Sequence, residues 1–444
     1  MAEVSLTYAE VERALLGRWP ETRMEPSLSR IRALCQVLGD PQDSYPVVHL
    51  TGTNGKTSTS RMVDALIRAT GLRTGRFTSP HVESMTERIC VDGQPLSEEG
   101  FVAAYADIAP YLDVVDAEET YRLSFFESMV GMALAAFADA PVDAAIIEVG
   151  LGGLWDATNV VDGKVAVIGP IAVDHAKYLG DRPELVATEK SGIIKPGAVA
   201  VCAGQLPEVA RVVAGRAAEV GATVEWEGVG FGVESRVPAV GGQMLRLRGL
   251  RATYPEVFLP LYGAHQAQNA AVALAAVEAF LGREPLDAEL VVGAFEQVTS
   301  PGRLEVVRRS PTIVLDAAHN PHGAQATAAA LEDSFVFNPL VGVVGVMADK
   351  DYEGVLAAFE PVFAEVVITQ NSTHRAMPAE ELAEVARGIF GPDRVHVAAR
   401  LDDAIDLGVT LAETAGVYGS GGVLVTGSVV TVGEARLLLG SKDR

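Results

Sequence analysis

Short, near-continuous apolar runs alternate with longer amphipathic stretches along most of the chain. VVHLTG (47–52) leads into a helical segment. VDAAIIEVG (142–150) follows the helical FFESMVGMALAAFADA. KVAVIGPI (164–171) precedes a helix around 184–194, and AVAVCAG (198–204) precedes the helical PEVARVVAGRAAEV. Strand–helix alternation of this kind predicts a mostly parallel sheet with helices on both faces. Burial on both faces also explains why the strands are apolar throughout rather than alternating. The pattern changes between about 222 and 262, where TVEWEG, GFGVES, GQMLRLRG and ATYPEVFLPL read as short antiparallel strands separated by glycine-rich turns, with a helix over 265–281. A second α/β series follows VTSPGR (298–303): TIVLDAAH (312–319), VGVVGVMA (341–348), AEVVITQ (364–370), VHVAA (395–399) and GVLVTGS (422–428). Pro and Gly interrupt the pattern near Ser300–Pro301, which places one domain at 1–299 and a second at 300–444.

Composition narrows the class. The 444 residues suit two or three domains, and 49% of them are apolar, as in an ordinary soluble protein. No run reaches membrane-span length, and the first twenty residues lack the basic start and apolar centre of a signal peptide. Cys35, Cys90 and Cys202 have no metal-ligand spacing, which fits a reduced cytoplasm. The net charge of −23 disfavours nucleic acid but leaves room for small anionic substrates wherever basic residues gather locally.

The candidate chemistry begins at the first strand. VVHLTGTNGKTSTS places Gly52, Thr53, Asn54, Gly55, Lys56 and Thr57 between a strand and a helix. This is the layout of a phosphate-binding loop, except that the spacing G-x-x-x-x-G-K-[ST] would need glycine where Leu50 stands. Backbone N–H groups at the helix start attract phosphate oxygens, Lys56 reaches the outer phosphates, and Thr57 offers its hydroxyl to Mg²⁺. The plain alternative is a glycine turn joining a strand to a helix.

Further polar residues stand at strand ends. Glu148 closes an apolar strand just before GLGG, where a carboxylate is either a Mg²⁺ partner or a charged strand edge. Ser79, in TSPHVESMTERI, reads by itself as part of a surface loop. His175, in IAVDHAKYLG, reads by itself as a core histidine, and Lys190, in TEKSGIIKPG, as a solvated lysine. Downstream, VLDAAHNPHGA ends a strand at Asp316 with His319 in the following turn, and VTGSVVTVGEAR places Ser428 after the last strand.

Taken together and in order, TGTNGKTS, TSPH…ERI, EVGLGG…DATN, VDH…LG, EKSGIIKPG, HQAQNA, PGRLE, DAAHNPHG and TGS…VGE resemble the folylpolyglutamate synthase and dihydrofolate synthase family, within the Mur ligase superfamily. The resemblance spans about residues 25 to 436. It implies an N-terminal P-loop ATPase domain, with a mostly parallel sheet and a small antiparallel sheet, joined to a Rossmann-like C-terminal domain. Only 46 residues precede the phosphate-loop strand, too few for the extra N-terminal domain of the murein ligases, which favours the folate branch.

Roles then carry over by position. The resemblance implies that Gly52 to Thr57 cradle the ATP phosphates and that Asn269, Arg303 and Asp316 contact ATP. It makes Ser79 and Glu148, with Thr57, ligands of one Mg²⁺ and His175 a ligand of a second. Lys190 matches a lysine that the family carbamylates, which would turn a repelling cation into an anionic oxygen ligand. Lys56, Lys190, Asp316, His319 and Ser428 match residues important for activity. Phe126, Asp156 and Ala157 match positions around a pterin ring. Read from the residues alone, Phe126 is also consistent with helix packing and Asp156 with capping of a turn. One departure stands out: Leu154 and Trp155 follow GLGG, where the family often has Arg.

The implied reaction is ATP-dependent addition of L-glutamate to folates, and to dihydropteroate, through an acyl phosphate. The implied enzyme is a cytoplasmic monomer with small-molecule substrates and no nucleic acid or membrane partner. A folylpolyglutamate synthase without the second activity, another Mur-type amino-acid ligase, a P-loop kinase and a nucleotide-binding regulatory protein are the alternatives.

Overall fold

The computed structural model describes residues 6–20, 25–282, 284–414 and 420–440. Two compact units emerge. One comprises Met1–Ser235, Leu245–Phe258 and Ala267–Val298, the other Arg236–Met244, Leu259–Gln266 and Thr299–Arg444.

The first unit is built on an eight-stranded sheet: β1 (Val47–Thr51), β2 (Thr74–Phe77), β3 (Ile89–Val91), β4 (Gln94–Pro95), β5 (Ala144–Glu148), β6 (Gly163–Ile168), β7 (Val199–Cys202) and β8 (Thr223–Trp226), in the order β4-β3-β2-β5-β1-β6-β7-β8. From β2 to β8 every pairing is parallel, and β3 and β4 add an antiparallel edge. All five residues of β1 and all five of β5 are buried, as expected for central strands covered on both faces. One face packs on helices Ser29–Val37, Glu98–Glu118 and Phe125–Asp139 through Leu34, Phe101, Met129 and Phe137. Another apolar cluster joins Ala166, Ile168, Ala200 and Cys202 to Val209 and Val213 of helix Pro207–Val220.

TVEW does not join the antiparallel group that its sequence neighbourhood suggested. It forms β8, parallel to β7. The helix Pro207–Val220 ends on Gly221 in the left-handed conformation, and this crossover returns the chain in the direction of β7. The small antiparallel sheet is therefore limited to β9 (Gly232–Ala239), β10 (Gly242–Arg248) and β11 (Thr253–Leu259).

The second unit carries a six-stranded sheet of β12 (Glu305–Arg309), β13 (Thr312–Asp316), β14 (Leu340–Val344), β15 (Glu365–Ile368), β16 (Val395–Val397) and β17 (Gly422–Thr426), ordered β12-β13-β17-β14-β15-β16. Five strands are parallel and match the predicted runs. The sixth, β12, pairs antiparallel with β13 at the edge. Its sequence EVVRR is charged and half-exposed, so no apolar run announces it.

Candidate functional site

In the first unit the strand order brings the polar strand ends to one rim. Ser79 follows β2, Glu148 ends β5, the loop 52–55 follows β1, and His175 lies beyond β6. These four strands are consecutive and parallel, so their carboxyl ends share one edge of the sheet.

The loop itself is tightly built. Gly55 is left-handed (φ 82°), and a Cβ there would stand 2.6 Å from the Asn269 side chain, so only glycine fits. A Cβ on Gly52 would lie 3.1 Å from the Gly169 backbone. The helix Lys56–Ala69 begins directly after, presenting its N-terminal N–H groups. Lys56 Nζ donates to the Gly52 carbonyl at 3.0 Å. Thr57 Oγ1 lies 3.1 and 3.0 Å from the two oxygens of Glu148, a carboxylate only 1% exposed. Thr53 bonds through its hydroxyl to the carbonyl and the N–H of Ala172, at 2.8 and 3.0 Å.

Lys190 is not a solvated lysine. It ends the helix Pro183–Lys190, is 3% exposed, and donates from Nζ to the Gly52 carbonyl at 3.1 Å. Burial first, and then the Lys56 cation, lower its pKa to about 7. A neutral amine is thus accessible near physiological pH. His175 is left-handed (φ 51°) and partly exposed, with its ring 3.9 Å from Asp174. Asn269 is buried on helix Ala264–Leu281. The structure therefore gathers Gly52–Thr57, Glu148, Lys190 and Asn269 around one loop, with Ser79 and His175 on the same rim.

The glycine-rich turn after β5 forms the next layer. Phe126 lies half-buried against it, with its ring where a Cβ of Gly150 would be (2.4 Å) and 5.9 Å from the Phe77 ring. Asp156 is 3% exposed. It accepts from the Leu151 N–H at 2.9 Å and from the N–H and hydroxyl of Thr158 at 2.9 and 2.5 Å. Burial pushes its carboxyl up against the lowering effect of these donors. Ala157 is buried beside it, in the short 3₁₀ turn Ala157–Val160. Leu154 is 49% exposed, with its Cβ where a Cβ of Gly192 would be (2.5 Å). Trp155 N–H donates to Glu189 at 3.1 Å.

The chain belongs to the dihydrofolate synthase/folylpolyglutamate synthase family. The Mur ligase middle domain model matches residues 50–277, and the Mur ligase glutamate ligase domain model matches residues 302–429. A dihydrofolate synthase/folylpolyglutamate synthase of Mycobacterium tuberculosis is 49% identical over 97% of this chain and 93% of that protein. The solved structure of M. tuberculosis folylpolyglutamate synthase complexed with ADP superposes with a TM-score of 0.94, at 50% identity and 98% coverage of each chain. The structure of E. coli FolC in complex with DHPP and ADP gives 0.87, at 29% identity and 99% coverage of each chain.

In the second unit β13 and β17 pair directly, Asp316 against Thr426. Asp316 is 4% exposed. It accepts from Leu304 N–H at 2.9 Å, Ala318 N–H at 3.0 Å and the Thr327 hydroxyl at 2.7 Å. It thereby fixes the turn that carries Arg303, whose Nη1 donates to the Gly302 carbonyl at 2.9 Å. Glu305 accepts from Gly302 N–H and pairs with Arg436, each at 2.8 Å. His319 bonds through Nδ1 to the Ala317 carbonyl at 2.9 Å. Ser428 caps the helix Val429–Leu439, accepting from Val430 N–H at 3.1 Å.

Neither His49 nor Thr158 announces itself in the sequence: His49 is a single polar residue in the apolar run of β1, and Thr158 is a small polar residue in a turn.

Proposed function

We propose that this protein is an ATP-dependent carboxylate–amine ligase that adds L-glutamate to dihydropteroate and to folates. The observation that carries the reading is the phosphate loop of Gly52–Thr57 with the Glu148 carboxylate on the Thr57 hydroxyl, in a chain that aligns end to end with folate ligases. The loop's N–H groups and Lys56 hold the outer phosphates of ATP. The terminal phosphoryl passes to the acceptor's carboxylate, releasing ADP and forming an acyl phosphate. The amine of L-glutamate attacks the acyl carbon, phosphate leaves, and an amide forms. A carboxylate alone resists the amine because an oxide would have to leave, and phosphorylation supplies the leaving group.

Among the described residues, no three His, Cys, Asp or Glu side chains converge as a metal cage. Mg²⁺ needs no such cage, because it binds through one or two carboxylates together with waters and phosphates. The Thr57 hydroxyl and Glu148 carboxylate, converging at about 3 Å, fit that donor set, and Ser79 stands on the same rim. Thr57 and Glu148 would hold Mg²⁺ there, and the ion would supply positive charge beside the transferred phosphoryl group. A second ion is assigned to His175 and to Lys190 as a carbamate. The buried Lys190 amine, with its pKa near 7, can add to CO₂ with release of a proton. Lys190→Ala then loses turnover, and short carboxylates restore part of it. In the second unit, Arg303 and Asp316 are assigned to nucleotide contacts and His319 and Ser428 to activity. Phe126, Asp156 and Ala157 are assigned to the pterin side of the acceptor.

ADP release tests the proposal. It should require both L-glutamate and an acceptor, and occur with dihydropteroate as well as with a reduced folate. Release with folates but none with dihydropteroate would leave a dedicated polyglutamate synthase. Net turnover without glutamate would point to a kinase.

A further inference from the structure

His49 is fully buried in the middle of β1, the strand whose end becomes the phosphate loop. Its Nε2 lies 2.9 Å from Thr158 Oγ1, and that hydroxyl lies 2.5 Å from Asp156 Oδ1. Asp156 Oδ2 in turn accepts the Leu151 N–H of the glycine-rich turn. A hydroxyl carries one proton. With Asp156 ionised, that proton points to the carboxylate, so the bond from His49 must be donated by Nε2–H. The ring is then neutral with a bare Nδ1, and Nδ1 is a buried atom without a hydrogen-bond partner among the described residues. Two residues on, Thr51 Oγ1 donates to the Gly152 carbonyl of the same turn at 2.8 Å. One strand thus grips the acceptor turn at two points and carries the ATP loop at its end.

We infer that His49 is a positioning residue for the acceptor substrate: its Nε2–H holds the Thr158 hydroxyl, and through it Asp156 and the glycine-rich turn, in register with the phosphate loop. The inference rests on the assignment of Asp156 to the pterin side. It predicts that losing the His49 donor weakens acceptor binding while ATP binding, which uses the far end of β1, is spared.

The experiment measures KM for dihydropteroate and for ATP in the full-length protein, from ADP release at saturating L-glutamate. His49→Leu removes one buried hydrogen bond and Thr158→Val two, those to His49 and to Asp156, and each should raise KM for dihydropteroate by about tenfold or more. KM for ATP should stay within about twofold. The double variant should be no worse than Thr158→Val alone, because that substitution already breaks the bond to His49. Thr158→Ser keeps the hydroxyl and should restore the wild-type value. If His49→Leu does not fold, the Val and Ser variants of Thr158 decide the matter between them. Equal rises in both KM values, no rise in either, or additive losses in the double variant would overturn the inference. Asp156→Ala separates the two levels. If it raises KM for dihydropteroate while His49→Leu and Thr158→Val do not, His49 loses its role and the pterin assignment stands. If Asp156→Ala has no effect, both fall.

Discussion

The burial of His49 makes a prediction about stability that needs no substrate. Burial first, and the Lys195 cation second, lower the imidazole pKa from 6.5 to about 3. The unfolded chain takes up a proton at His49 near pH 6.5, while the folded chain does so only near 3. Between those values the unfolded state holds more protons, so the contribution is whole above 6.5 and is lost as the pH falls toward 3. At about pH 4.5 the loss covers two units at roughly 1.4 kcal/mol each, or about 3 kcal/mol. His49→Gln keeps an amide donor for Thr158 but cannot titrate, so it should escape this loss. The Asp156 carboxyl, pushed up by burial, acts in the opposite sense, favouring the fold as it is neutralised. It is present in both proteins and cancels in the difference. All three tryptophans, Trp19, Trp155 and Trp226, lie in the unit that contains His49, so tryptophan fluorescence reports its unfolding. Urea titrations at about pH 7.5 and about pH 4.5 should show the wild type losing about 3 kcal/mol more than His49→Gln. Equal losses in the two proteins would refute the buried, neutral ring.

Three further outcomes follow from the geometry. Lys56→Ala should lower kcat by about 10²–10³-fold with an unchanged circular dichroism spectrum, because the lysine serves developing charge rather than packing. A folded variant with near-normal turnover would contradict the phosphate-loop assignment. Gly153→Ala would place a Cβ 2.8 Å from the Glu189 carbonyl and 2.9 Å from that of Lys190, both backbone. It should cost about 1–3 kcal/mol in urea unfolding and reduce activity by moving the turn off the Lys190 helix. Arg30 and Glu127 form an ion pair at 2.9 Å with side chains only 7% and 6% exposed. Arg30→Met should cost about 3–5 kcal/mol by leaving Glu127 buried and unpaired, and Arg30→Met with Glu127→Leu should recover much of it. A single variant as stable as the wild type would show that the pair contributes little.

The amino-acid sequence by itself determined the elements whose causes are local. Four-residue apolar runs such as 144–147 in β5 and 165–168 in β6 have to lie in central strands, because only a sheet covered on both faces buries them. Gly52, Gly55, Lys56 and Thr57 give the strand–turn–helix layout of a phosphate loop within six residues, and Glu148 and Asp316 each stand out as a carboxylate at the end of an apolar strand. Tertiary structure decided whatever depends on a distant partner. The direction of TVEW was set by a crossover helix, not by its turn-rich surroundings, and EVVRR became β12 only because β13 offers an edge. Lys190 reads as a solvated lysine until the fold buries it 3.1 Å from a carbonyl 138 residues away. His49 reads as a stray polar residue until β1 brings it to a threonine 109 positions on. In both cases the chemistry comes from desolvation and a long-range hydrogen bond, and neither leaves a trace in the residues next to it in the chain.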